Sequence, residues 1–139
     1  MNYDLLKKQL LLHEGFRQYP YKDTVGKLTI GIGRNLDDRG ISMNESLVLL
    51  EFDVAEIVNY LSRYDWFNNL GDVRQRVVVD MVYNLGISGF LKFKRTIQAI
   101  KERDFDKAAE QMLKSKWAGQ VGIRATRLAR MMETGEDYD

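Results

Sequence analysis

Apolar and polar positions along this chain change period twice. In residues 3–14, YDLLKKQLLLHE, the leucines recur at helical spacing around Lys7 and Lys8, which predicts a short amphipathic helix. Gly15 follows as the stop, because glycine takes a left-handed C-terminal cap without steric cost. Pro20 argues against helix in the next stretch, where Phe16, Tyr19 and Tyr21 suit extended chain. The turn signal DTVG at 23–26 leads into the alternating KLTIGIG. Residues 16–35 therefore read as a hairpin or small three-stranded sheet, and NLDDRG after it as a loop.

From Ser42 the period returns to that of a helix. Ser42 and Glu45 form a capping box, in which the serine oxygen accepts a free backbone N–H and the glutamate reaches back. Leu47, Leu50, Val54, Ile57, Val58 and Leu61 then predict a long helix from Met43 to about Tyr64. Asp72 to Leu85 is apolar on most sides (Val73, Val77, Val78, Met81, Val82, Leu85) and closed by Gly86, the signature of a central buried helix. Further helices are expected at about 91–103, 107–115 and 122–134, ended by Gly135, with a frayed tail over 136–139. The expected fold is α+β and mostly helical, a single domain over 1–139. Its lobes should lie at about 14–65 and 66–139 plus the N-terminal helix, with the small antiparallel sheet in the first lobe.

Composition narrows the classes. A hydrophobic share of 45% and a charged share of 29% over 139 residues are those of a globular domain with a real core. No run approaches the ~18 apolar residues of a membrane span. Leu10-Leu11-Leu12 is too short for the core of a signal peptide, so neither an export signal nor stable membrane insertion is expected. There is no cysteine, and one histidine, His13, can assemble neither a metal cluster nor a Ser–His–Asp triad. No metal and no cofactor are expected. The GIG of residues 31–33 lacks the spacing of a phosphate-binding loop. Trp66-Phe67, Phe90 to Phe93 and Trp117 could stack on bases, but at helical spacing they read as core, and nucleic acid is not expected as a partner.

Net charge is +1, yet Lys92 to Arg130 holds 11 basic against 4 acidic residues. That segment is either a solvated helical surface or an attractor of polyanions such as a cell wall or nucleic acid. Chemistry concentrates earlier. Glu14 lies at the predicted carbonyl end of a helix, with apolar neighbours. Burial and the helix end would both favour the protonated acid, the form a proton donor needs. Asp23 in a turn and Thr29 on a strand are each ordinary alone. Together they supply an acid, a carboxylate and a hydroxyl, the set used to cleave a glycosidic bond.

HEGFRQYPYKDTVGKLTIGIG, residues 13–33, resembles the active-site segment of the phage-type lysozymes, the T-even endolysin branch. The Glu–Asp spacing of nine and the Asp–Thr spacing of six match that family. RQRVVVDMVYNLGISGFLKF (74–93) resembles its buried central helix, and DKAAEQMLKSKWAGQVGIRATR (106–127) its last two helices. The resemblance implies a lysozyme-like two-lobe fold and hydrolysis of the β-1,4 bond between N-acetylmuramic acid and N-acetylglucosamine in peptidoglycan. It implies Glu14 as general acid, Asp23 as the group that positions and activates water, and Thr29 as a second holder of that water. Asn84, Tyr21, Asn35 and Tyr83 match substrate-binding positions, and Arg124 an arginine that pairs near the catalytic glutamate. It also implies a monomer acting on glycan strands, held in the host cytoplasm until a separate holin permeabilises the membrane. His13 and Arg34 depart from the family's usual acidic residue and histidine at those positions, and the loop Leu36–Ser42 is short. A lytic transglycosylase and a non-catalytic wall-binding module are the alternatives. Asp23 counts against the first, and the intact Glu14, Asp23 and Thr29 against the second.

Overall fold

The computed structural model describes residues 1–138 and divides the chain into two compact units, Met1–Leu49 and Leu50–Asp139. The expected α+β architecture, mostly helical with a small antiparallel sheet, is what the chain adopts.

The first unit opens with α1, Tyr3–Glu14. Its N-cap Asn2 accepts from the Leu5 N–H at 3.0 Å, and Gly15 (φ 71°) returns its own N–H to the Leu11 carbonyl. The leucines of α1 do not form a buried stripe: Leu5, Leu12 and Phe16 are largely exposed. Strands β1 (Arg17–Lys22), β2 (Leu28–Gly31) and β3 (Arg34–Asn35) form an antiparallel meander in chain order. In its register Thr29 stands opposite Tyr21 on one side and Asn35 on the other. Thr29 is accordingly the one fully buried residue among those described in this unit.

Residues expected as a loop contain a single-turn helix, α2 (Leu36–Arg39), because Asn35 caps it by accepting from the Asp38 N–H. Helix α3, Met43–Leu61, begins where the capping box places it. Ser42 Oγ accepts from the Glu45 N–H at 3.1 Å, and Glu45 accepts from the Ser42 N–H at 2.9 Å. Along α3 the predicted apolar stripe is buried fully only at Leu61.

Glu45 has a second task. Arg34 forks onto both of its carboxylate oxygens and donates to the Gly40 carbonyl, closing the segment between sheet and helix. The Arg34 guanidinium, helped by the N–H and hydroxyl of Ser42, holds the Glu45 carboxyl down to about 2. So Arg34, one of the three departures from the family pattern, has a structural partner.

The second unit contains α4 (Asp65–Asn68), α5 (Asp72–Leu91), α6 (Lys94–Lys101), α7 (Phe105–Lys114), α8 (Lys116–Val121) and α9 (Ile123–Thr134). α5 breaks at Gly86 (φ 75°), where the sequence predicted its end; a short helical segment follows directly. Val77, Val78, Met81 and Val82 of α5 are enclosed, as expected of an all-round apolar helix. Ile100 from α6, Met112 from α7, and Leu128 and Met132 from α9 complete that core. Ala108 and Ala109 of α7 and Ala125 and Ala129 of α9 are buried where these two helices pair.

Trp66, Phe90, Phe93 and Trp117 run through the unit as an aromatic series with neighbouring centroids 6.0–6.5 Å apart, the core role expected of them. The C-terminal end of α9 is tied back by Arg74, which donates to the carbonyls of Met132 (2.7 Å) and Glu133 (2.8 Å) and lies 3.7 Å from the Phe105 ring centroid. Gly135 makes room for it, since an added Cβ would stand 3.1 Å from the guanidinium. The expected frayed tail is pinned at Asp137, paired with Arg76 at 2.8 Å, and at Tyr138, under Arg127. Asp139 lies outside the described residues.

The folded-state value of Glu45 lies below the ordinary 4.5. The stabilisation it supplies is therefore complete above about pH 4.5 and lost as pH falls toward 2. Melting of the first unit, followed by NMR signals of residues 28–45, should drop more steeply over this window in the unsubstituted chain than in Glu45→Gln. Parallel curves would show that the Arg34–Glu45 pair contributes nothing to acid sensitivity.

Candidate active site

In the first unit the backbone of Lys27 organises the chemistry. Its N–H donates to Asp23 Oδ1 at 2.8 Å. Its carbonyl accepts both the Asp23 N–H and the Thr29 hydroxyl, each at 2.9 Å. Asp23 Oδ1 also accepts the Val25 N–H at 3.0 Å. The main chain of one residue thereby fixes the carboxylate and the hydroxyl relative to each other. The turn role of this aspartate occupies only one of its two oxygens. Oδ1 closes the turn, while Oδ2 has no partner among the described residues. Thr29 has spent its single proton on Lys27, so toward any further molecule its oxygen can only accept. Sequence reasoning missed Lys27, and no side-chain signal could have revealed it, since the contribution is entirely main chain.

Glu14 is the last residue of α1, as predicted, but the burial expected for it is absent: it is exposed. What positions it is Gly33. A Cβ on Gly33 would lie 2.5 Å from Glu14 Oε2 and 2.9 Å from its carboxyl carbon, so the acid rests directly on the backbone of the β2–β3 turn. Gly33 also has φ 68°, a conformation natural to glycine. The GIG fragment is therefore a seat for a carboxylate side chain. His13 shares the last turn of α1 and is exposed. Asn35 is engaged as the cap of α2, and its amide donates to Asp38. Tyr21, opposite Thr29, carries Arg17 over its ring at 4.5 Å.

The remaining predicted residues belong to the second unit. Asn84 on α5 accepts from the Trp117 indole N–H at 2.7 Å, which leaves its NH₂ free to donate. Arg124 on α9 is paired with Asp80 of α5, its nitrogens 2.7 and 2.9 Å from Oδ1, with a further bond to the Asp80 carbonyl. Asp80 is thus the carboxylate the structure gives Arg124, and it was not anticipated. Its spacing four residues before Asn84 on one helix was the available signal. Tyr83 and Arg124 both line a cavity of about 470 Å³ floored by Val54, Val58 and Val79.

These features coincide with a match of residues 12–132 to the phage lysozyme family model. The chain belongs to the phage lysozyme family. It is 30% identical to "Probable T4-type lysozyme 2" and 28% identical to "Probable T4-type lysozyme 1" of Dictyostelium discoideum, each alignment covering 94% of both chains. It is 24% identical to the SAR-endolysin of Escherichia phage Mu over 97% of this chain and 84% of that protein. As a phage lysozyme the chain is a glycoside hydrolase that degrades peptidoglycan. None of the helices among the described residues is long and apolar enough to cross a membrane.

Gly33 and Gly31 make a matched pair for testing the seat of Glu14 in this phage lysozyme. Both have positive φ, but a Cβ on Gly31 meets nothing within 4 Å. Alanine at either should cost about 1–2 kcal/mol of stability from backbone strain. Only Gly33→Ala should displace the Glu14 carboxyl resonance in carbon-13 NMR. An equal displacement in Gly31→Ala would mean that the Gly33 contact does not set the position of Glu14.

Proposed function

We propose that this lysozyme hydrolyses the β-1,4 bond between N-acetylmuramic acid and N-acetylglucosamine with inversion of configuration, in the service of host cell lysis. The unpartnered Oδ2 of Asp23, beside an Oδ1 fixed by the Val25 and Lys27 N–H groups, is the observation that carries this reading. Glu14 gives its proton to the glycosidic oxygen as the bond to the leaving sugar breaks. A water attacks the anomeric carbon from the opposite face and passes its proton to Asp23 Oδ2. Thr29 Oγ1, already committed as a donor to Lys27, accepts a hydrogen bond from that water, which leaves a lone pair of the water facing the sugar. Asn84 would offer its free NH₂ to the glycan or its peptide, with Tyr21, Tyr83 and Asn35 as further contacts and Arg124 in support. A lytic transglycosylase needs no base for water, and the pre-positioned Asp23 argues against it.

The resemblance in sequence to the T-even endolysins supports a route in which the chain is made in the host cytoplasm. It would reach the wall as a monomer once the membrane is permeabilised, by a separate holin in this reading.

Two outcomes follow. Glu14→Gln keeps the shape but has no proton to give, so turbidity clearance of peptidoglycan should fall by about 10²–10⁴-fold with the fold intact. Retention of a tenth of the activity would remove Glu14 from the acid's role. Secondly, the first reducing ends released should be α-configured. Proton NMR of the anomeric region before mutarotation reads this directly. An initial β product would instead require Asp23 to attack the sugar itself, which would end the role given to Thr29.

A further inference from the structure

We propose that a basic cavity at the start of α6, in the second unit, is a binding site for a phosphate group. This assignment does not rest on the glycan-cleaving reading, and none of its residues serves in it. The cavity measures about 470 Å³ and is lined by Lys92, Lys94, Arg95 and Lys114 together with Thr96 and Gln111, with no acidic residue in its wall. Lys114 is shared with Glu110 at 2.8 Å; the other three cations have no ion-pair partner among the described residues.

Four cations in one concavity repel one another, and without an anion they raise the local potential. The backbone adds to the field. The N-cap of α6 is Phe93, which cannot accept a hydrogen bond through its side chain, and no side chain caps this terminus. Its first N–H groups therefore lie open where the helix dipole is positive. Thr96 is the independent observation. It is 2% exposed, yet its hydroxyl makes no hydrogen bond among the described residues. It is also not an enclosed, unsatisfied oxygen, so it opens into the cavity it lines. A buried hydroxyl left free to donate, open amides and three unpaired cations are the complement of a multiply charged tetrahedral oxyanion. A single carboxylate would leave most of that charge unmatched. The phosphate has two sources to distinguish: free inorganic phosphate, and the phosphodiester of an anionic wall-type polymer.

The test uses the whole chain and does not read activity. Nitrogen-15 NMR should show saturable shifts of the Lys94, Arg95 and Thr96 amides with inorganic phosphate, and much weaker ones with acetate at the same ionic strength. Lys94→Gln with Arg95→Gln should weaken binding by about tenfold or more. Thr96→Val, close to isosteric, should weaken it severalfold, and Thr96→Ser should restore it. A poly(glycerol phosphate) that moves the same amides at lower concentration, in competition with phosphate, assigns the polymer as the source; movement by inorganic phosphate alone assigns the free ion. Binding of either that leaves these amides unmoved, equal effects of acetate, or full binding by the folded double variant would overturn the site.

Discussion

The second unit depends on the enclosure of α5. A helix with Val77, Val78, Met81 and Val82 on successive faces cannot satisfy itself by lying on a surface. Each enclosed side chain is worth about 1.5–3 kcal/mol only if it is covered on every side. The chain after Gly86 meets that demand with four further helices, and the buried alanines of α7 and α9 let two of them pair closely. Arg74 then secures the last helix by its carbonyl end, so that the final covering element cannot fray away from the core. Burial lowers the pKa of Arg74, but an arginine remains charged in any case and keeps its grip.

The first unit is built on the opposite economy. It encloses almost no apolar side chain; its order comes from caps, turns and ladder bonds. Asp23, Asn35, Ser42 and Glu45 each bind backbone groups that would otherwise be open. A wall made this way is polar by construction, and it presents carboxylates in fixed positions without having to desolvate them fully. Chemistry on sugars, which are themselves polar, suits such a surface.

Much of this was legible in the sequence. The capping box, the DTVG turn, the central apolar helix and the stop at Gly86 follow from local rules whose partners lie within a few residues. Glu14 at a helix end was legible for the same reason. Its contact with Gly33 was not, because it depends on how a turn nineteen residues away folds back on the helix end. Nor was the pairing of Arg124 with Asp80, forty-four residues apart. α2 was hidden because four residues are too few to show a period, and only its cap, Asn35, could have signalled it. The exposure of Glu14 corrects an expectation drawn from apolar neighbours in sequence, which do not enclose it in space.

Glu45 shows how such a unit resists change. The same carboxylate closes the start of α3 and holds the fork of Arg34. Losing it breaks the reciprocal half of the capping box and strands a cation at once, while altering Arg34 alone leaves both halves of the box intact. The two positions are thus unequal partners in mutational history: drift can enter through the arginine, whereas the glutamate is locked by holding two unrelated jobs. A lineage could exchange the arginine first and free the glutamate afterwards, but the reverse order passes through a doubly damaged intermediate.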